Sequence, residues 1–409
     1  MTERSYDIVI AGGGLVGASL ALMLAKLDLK TALIEAAELN VAQHPSFDDR
    51  TTALSNGSKR IFEQIEVWPL IERDATPIKR IHVSDKGRFA FARLDAAEQG
   101  IPALGHVVFN RVMGAALWRR LAERGIELIA PATVRSATVS EDSQEIACER
   151  ADGTKLTLTT RLAIAADGAQ STLRNQAGIP VSTWDYGETA IVTNVLTQRL
   201  HENVAYERFT SDGPIAVLPM TEGRAGVVWT VSPELAKELL ALSDAEFLTR
   251  LQTAFGLRLG RFMQIGKRAS YPLALTRSAE HIAKRLAVVG NAAQGLHPIA
   301  GQGFNLGLRD AASLAEVIAD ARRAQADFDP GAASVLERYR DWRAEDRRRI
   351  VGFTDGMVRL FRQPFAPVRI ARDVGMLAFD LMPFAKDALS QLSLGAAGKI
   401  PRLARGAAL

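Results

Sequence analysis

YDIVIAGGGLVGASLALMLAKLDLKTALIE, residues 6–35, is the stretch that decides the fold. Tyr6 to Ala11 is a mostly apolar run of the kind that forms a buried strand. Gly12, Gly14 and Gly17 then fill the three positions of a G-x-G-x-x-G turn, and a helix is expected from Leu15 to about Leu27. Thr31 to Ile34 is the next strand, closed by Glu35. This spacing has a chemical meaning. The first two glycines let the backbone turn tightly and approach a pyrophosphate, and the third lets the helix pack close. An acid about 20 positions further on accepts hydrogen bonds from an adenosine ribose. The arrangement points to an ADP-containing dinucleotide, and NAD and FAD satisfy it equally. Residues 8–25 are uncharged and long enough to suggest a membrane span. Three consecutive glycines break the run, no basic flank precedes it, and a second strand follows, so a soluble strand–turn–helix explains the letters better.

A second such unit lies at residues 285–310, RLAVVGNAAQGLHPIAGQGFNLGLRD. Leu286 to Val289 is a short apolar strand, and Gly290-Asn291 breaks it. A loop with Gly295, Pro298, Gly301 and Gly303 follows, then a helix from Asn305 with Leu306, Leu308, Ala312, Leu314, Ala315 and Ile318 along it. A helix that opens from a glycine-rich loop aims free backbone N–H groups and a positive dipole at something electron-rich. Taken alone, the loop reads equally well as one whose turns need glycine. A third turn, Asp167-Gly168-Ala169-Gln170-Ser171, ends the apolar run Leu162 to Ala166 and leads to Arg174.

Between these units the pattern changes. Residues 47–68 hold Arg50 in a loop, which read alone is a surface arginine, and Asn56 and Ser58 as turn or cap residues before a helix through Ile61 and Ile65. His106 to Val108 leads into Asn110 and a helix with Leu117 and Leu121. Residues 78–95 alternate around Asp85-Lys86-Gly87, and 146–160 around Asp152-Gly153, both hairpin signals. Residues 181–275 read as antiparallel strands interrupted by one helix, Asp244 to Phe255. The expected organisation is α/β with an α+β module inserted. Residues 1–77, 101–180 and 276–330 form the nucleotide-binding part, 78–100 and 181–275 a sheet that builds a substrate pocket, and 331–409 a helical C-terminal region. Within that last region, 338–349 is expected to be a solvated helix face, with a basic patch as the alternative. Gly352 to Leu394 reads as helices packed on the core, or as a membrane- or partner-binding surface, and 395–409 as a frayed tail.

Composition sets outer limits. The chain has 409 residues, 47% of them hydrophobic and 23% charged, with a net charge of +4, so nothing demands nucleic acid. One cysteine, Cys148, excludes a disulfide framework and a multi-cysteine metal site, and no metal is expected. A reducing cytoplasm fits this usage.

The three turns, Gly12 to Gly17 with Glu35, Asp167-Gly168 through Arg174, and Gly290-Asn291 through Asn305, together resemble the class A flavoprotein aromatic hydroxylases. The resemblance implies a Rossmann-like FAD domain with an antiparallel substrate sheet and C-terminal helices, as in p-hydroxybenzoate hydroxylase. FDDRTTALS, HVVFN, GPIAVLPM, YPLAL and GNAAQGLHPIAGQGFNLGLRD are similar to the ubiquinone-biosynthesis branch, and within it to the 2-polyprenyl-6-methoxyphenol hydroxylases, over residues 5 to about 395. One spelling departs from the wider family. Gly290-Asn291 stands where Gly-Asp is usual, and Gln294 where histidine is often found. An amide still hydrogen-bonds a ribityl hydroxyl.

The resemblance implies roles. Gly12, Gly14 and Gly17 would cradle the pyrophosphate and Glu35 the ribose. Arg50 and Asn110 would contact FAD, Asp167 and Gly168 would sit by the pyrophosphate, and Asn291 on the ribityl chain. Gly303, Phe304 and Asn305 would offer backbone N–H groups to the pyrimidine edge of the flavin. Pro298 would form a wall of the pocket. His297 is the titratable residue of that loop, although a loop histidine more often serves structure. The implied reaction uses NAD(P)H and O2, forms a flavin C4a-hydroperoxide, and hydroxylates a polyprenylated phenol. No second G-x-G-x-x-G holds the nicotinamide nucleotide, as this class binds it transiently. The implied setting is cytoplasmic, with peripheral membrane contact and a ubiquinone-biosynthesis protein complex as partners. A hydroxylase of another ring position or another phenol, an FAD-dependent isoprenoid reductase and a non-catalytic FAD-binding scaffold of a biosynthetic complex are the competing readings. A halogenase drops out for want of Trp-x-Trp-x-x-Pro.

Overall fold

The computed structural model describes residues 3–38, 44, 49–88, 91–295, 302–325, 327–344, 348 and 399–409. The strand Glu3–Ala11 lies inside a sheet in the order Ile282–Ala283, Leu286–Val288, Lys155–Ala165, Glu3–Ala11, Thr31–Ile34, Glu127–Ile129. Its pairings with Lys155–Ala165 and Thr31–Ile34 are parallel. Parallel strands are buried on both faces, and this one shows it residue by residue. Ile8 and Ile10 enter one apolar cluster while Val9 and Ala11 enter another on the opposite face.

The first cluster is covered by the helices Leu15–Leu24, Asn110–Glu123 and Gln302–Ala324. Leu15–Leu24 is buried on nearly every side, which is why its letters resemble a membrane span. It ends sooner than the periodicity predicts: Ala25–Leu27 tightens into a 3-10 turn, and Asp28 takes a left-handed conformation at φ +46°. The opposite face is closed by Ala132–Val139 and Gln144–Arg150, an antiparallel pair that folds back through Lys155–Ala165.

The second sheet runs Gln294–Gly295, Ala269–Ser278, Val181–Thr197, Arg224–Val231, Gly213–Pro219, Val204–Thr210, Arg80–Asp85, Phe91–Asp95. It is antiparallel apart from Val204–Thr210, which runs parallel to Arg80–Asp85. Parallel neighbours need a long crossover, and here the chain between them passes through the first sheet. The helices Pro233–Ala241 and Asp244–Phe255 pack on one face with Trp229, Phe247 and Phe255. Towards the other face a small sheet, Thr51–Leu54, Gly105–Phe109 and Thr76–Ile78, brings Ala53 and Phe109 against Ala205 and Leu218.

Three local expectations are corrected. Ser55, rather than Asn56 or Ser58, caps Asn56–Gln64 by accepting a hydrogen bond from Ser58 N–H. The last residues are no frayed tail: Leu403 and Ala404 are buried in the first core, and Arg402 pairs with Glu316 and Asp320. The charged segment is not wholly a solvated face either. Tyr339 and Arg343 are fully buried, and the Arg343 guanidinium meets Asp310 at 2.7 Å. No helix among the described residues is long and apolar enough to cross a membrane. Gly352 to Leu394 lies outside the described residues.

Candidate active site

The three turns meet edge to edge. Gly12 has φ +103°, and a Cβ there would lie 2.4 Å from Ala166 O and 2.8 Å from Asp167 Cα. The first and second turns are therefore in backbone contact, at a spacing only glycine permits. A Cβ on Gly17 would reach Gly12 O at 2.0 Å, so the third glycine sets the helix against its own turn. On the other side, a Cβ on Gly290 would meet Val16 at 3.2 Å, and one on Gly307 would meet Gly290 Cα at 3.0 Å. Gly290 also has φ +60°. Residues hundreds of positions apart thus form one continuous backbone surface.

Two side chains hold that surface together. Glu35 is buried and accepts hydrogen bonds from Gly13 N–H at 2.6 Å and Ala37 N–H at 2.7 Å, with His44 Nε2 at 3.4 Å. Burial opposes its charge, yet His44 and the two backbone donors outweigh it, and the carboxyl lies below its ordinary value. Arg174 is buried and donates to Ala292 O and Ala169 O, each at 2.9 Å, and to Asn175 Oδ1. It ties the second turn to the third. Trp118, which no sequence signal singled out, donates its indole N–H to Gly13 O at 3.1 Å and meets His44 edge-on.

The remaining residues read from the sequence fall around this surface. Gly14 is the N-cap of Leu15–Leu24 and Gly168 sits at φ +85°. Asp167 Oδ2 accepts from Thr172 N–H, while its buried Oδ1 has no partner among the described residues. Burial lifts this carboxyl above its ordinary value. Arg50 lies over the Tyr271 ring at 4.7 Å, and its carbonyl accepts Asn110 N–H. The Asn110 side chain accepts from Thr52 Oγ1 at 2.7 Å. Asn291 is exposed on a 3-10 turn, Gly290–Ala292.

Gly303 and Phe304 lie in the first turn of Gln302–Ala324, and a Cβ on Gly303 would meet nothing within 4 Å. Phe304 meets Phe62 edge-on. The Asn305 side chain is a tether. Its Oδ1 accepts Ser55 N–H and Ser58 Oγ–H, and its Nδ2 donates to Ala53 O. It anchors the start of this helix to the chain after Arg50. Gln294 donates to Asp310 at 3.2 Å and so belongs to the buried Asp310–Arg343 pair. His297 and Pro298 lie outside the described residues.

A group with a pyrophosphate and polyhydroxyl chain fits this surface. It offers a glycine cradle with no side chains, an orphaned buried carboxylate oxygen at Asp167, and an exposed amide at Asn291. No cluster of potential metal ligands occurs among the described residues.

A family model described as an FAD binding domain matches residues 5–354. The chain is 38% identical to the ubiquinone hydroxylase UbiL of Rhodospirillum rubrum over all of its own length and 94% of that protein. It is 31% identical to 3-demethoxyubiquinol 3-hydroxylase of Escherichia coli, over 97% of this chain and all of that one. It belongs to the FAD-dependent ubiquinone hydroxylases. Its fold is that of the class A flavin monooxygenases: p-nitrophenol 4-monooxygenase PnpA from Pseudomonas putida superposes with a TM-score of 0.80 at 19% identity, covering 98% of this chain and 100% of that one. As a flavoprotein monooxygenase of this family, the protein is an FAD-dependent aromatic hydroxylase that draws on NAD(P)H.

In such an enzyme the face of the second sheet opposite its helices has a clear signature. On the helix side Ile191, Ile215, Val217, Val227 and Trp229 are buried, whereas Val192, Ala216 and Val228 on the other face are half-buried. A face left to water reads polar. This one is apolar and only partly covered, as a wall for an apolar ligand must be.

Proposed function

We propose that the protein hydroxylates the aromatic ring of a polyprenylated phenol in ubiquinone biosynthesis, with FAD held by the three converging turns. The carrying observation is the half-buried row of valine and alanine on the open face of the second sheet. An isoprenoid-bearing phenol needs such a wall, and the UbiL and E. coli relatives are named for hydroxylation of ubiquinone or its precursor.

In this reading Gly12, Gly14 and Gly17 hold the pyrophosphate, with Asp167 and Gly168 beside it. Glu35 keeps lone pairs for a ribose hydroxyl while its backbone bonds fix its orientation. Arg50 and Asn110 contact FAD, and Asn291 meets the ribityl chain through its amide. The backbone N–H groups at Gly303, Phe304 and Asn305 face the flavin's pyrimidine edge, where a helix N-terminus stabilises negative charge without reorganisation. The Asn305 side chain, tied to Ala53 and Ser55, keeps that helix start in place. FAD reduced by NAD(P)H supplies the activation of O2. The chain itself orients the ring, keeps water out and handles the phenol proton.

The spelling Asn291-Ala292-Ala293-Gln294 supports a 2-polyprenyl-6-methoxyphenol as substrate. The E. coli relative favours a second reading, hydroxylation at ring carbon 3 of a demethoxyubiquinol. Mass spectrometry of quinone-pathway lipids after deletion separates them. Accumulated 2-polyprenyl-6-methoxyphenol supports the first and accumulated 3-demethoxyubiquinol the second. Unchanged lipids contradict both.

A further inference from the structure

The open face of the second sheet carries one acid in an apolar lane. Pairing registers place Ala269, Val192, Val228, Ala216, Glu207, Val83 and Ala92 directly opposite one another across seven strands. Directly paired residues share a face, so the Glu207 side chain stands on the wall assigned above to the phenol. Its sequence neighbours confirm the direction. Tyr206 turns the other way, meeting Phe255 of the covering helix edge-on at 5.6 Å, and Arg208 Nη2 reaches towards Gly256 on that same side. Ala205 and Phe209, which share Glu207's face, are buried.

Among the described residues the Glu207 side chain makes no hydrogen bond or ion pair. A half-buried carboxyl without a partner is costly, and nothing in the packing of this sheet requires one. The charged groups nearby look elsewhere. On the segments that pack towards this face, Arg50, just before the strand Thr51–Leu54, lies over Tyr271, and His106 lies against Trp68. Across the sheet, His82 stacks on Phe91 and Arg258 donates to Ser84. Burial alone pushes the Glu207 carboxyl up to about 7.

We propose that Glu207 is the base that accepts the hydroxyl proton of the bound phenol. The inference rests on the substrate reading given above. The phenol O–H bond breaks and a carboxyl O–H bond forms, leaving a phenolate whose ring is richer in electrons for attack on activated oxygen. Oxygen transfer to the ring leaves a dienone. As its ring C–H proton departs to water and the ring rearomatises, the carboxyl proton returns to the original oxygen and Glu207 is again a carboxylate. An acid poised near neutrality takes a phenol proton better at pH 7 than one of ordinary strength. The flanking valines and alanines leave water little foothold there.

The test compares wild type with Glu207→Gln, which keeps the shape and removes the base, and Glu207→Asp, which keeps the acid on a shorter arm. Each is assayed FAD-loaded with NAD(P)H and 2-farnesyl-6-methoxyphenol, with product, H2O2 and pH profile measured. Flavin content and circular dichroism report folding independently. The expected result is an acid limb near pH 7 in wild type, where the Glu207 carboxyl titrates. Glu207→Gln should lose that limb and about 10²- to 10⁴-fold in hydroxylation, with reducing equivalents diverted to H2O2. Glu207→Asp should restore part of both. Wild type that hydroxylates the probe, with Glu207→Gln within threefold of it and the acid limb unchanged, overturns the role of Glu207 alone. Wild type that hydroxylates no prenylphenol overturns the substrate reading and this role with it. Should Glu207→Gln fail to fold, an Asp variant with wild-type rate and acid limb despite its shorter reach also overturns the role.

Discussion

Arg174 Nη1 donates to the carbonyl oxygen of Ala292 at 2.9 Å, across 118 positions of sequence. One buried guanidinium thereby joins the Asp167 turn to the Asn291 turn. Arg174→Ala would remove the donor to Ala169 O and leave Ala292 O to the Ser278 hydroxyl, and each lost charged hydrogen bond costs about 1.5–3 kcal/mol. We expect a lower urea midpoint and weaker flavin retention together, measured by chemical denaturation and by absorbance of the purified protein. Wild-type values for both would show that the turns do not depend on this tie.

Gly12→Ala tests the cradle itself. The new methyl group would sit 2.4 Å from Ala166 O at φ +103°. Such strain is of order 1–3 kcal/mol, or roughly 5- to 150-fold in affinity if it falls on the bound state. Fluorescence titration of apo-protein with FAD should show that weakening. An unchanged dissociation constant would mean that the first turn can shift without loss.

The Asp310–Arg343 pair is fully buried on both sides. Arg343→Ala removes the buried guanidinium that meets Asp310, and breaking such a pair costs roughly 3–5 kcal/mol. A fall in melting temperature of many degrees is expected. A change as small as that of a surface arginine would contradict the buried placement.

Two acids impose opposite pH slopes. Glu35 is held below its ordinary value of 4.5, so its contribution is present above about pH 4.5 and lost as pH falls through the folded value. Glu207 is raised to about 7, so the folded state holds the proton more tightly than the unfolded chain. Stability then falls as pH rises from about 4.5 to about 7, and the penalty is complete above that. Melting temperatures at successive pH values should show Glu207→Gln gaining on wild type up to about pH 7 and then holding level, whereas Glu35→Gln should fall behind wild type as pH rises towards about 4.5 and hold level above it. A pH-independent offset for Glu207→Gln would place its carboxyl in water.

The nucleotide fold was legible because its signals are local. Gly12, Gly14, Gly17 and Glu35 lie within one strand–helix–strand unit, where period and spacing carry the information. Alternation likewise announced the antiparallel strands of the second sheet. What escaped depends on contacts between distant segments. Arg343 lies in a run of charge that reads as solvated, and only the fold shows Asp310 waiting for it. Trp118 looks like any apolar helix residue until Gly13 O is found beside its indole. Leu403 and Ala404 read as a tail because their partners lie in helices far earlier in the chain. Glu207 could not be singled out because its face depends on registers that span the whole sheet.

The central claim is that the turns at Gly12, Asp167 and Asn291 clasp one FAD. Hydrogen–deuterium exchange of apo-protein with and without FAD tests it most directly. A shared clasp predicts slowed exchange at once in peptides covering residues 11–18, 166–174, 289–295 and 302–307, with one common dependence on FAD concentration. Protection confined to one of these segments, or protection at unequal concentrations, would contradict it.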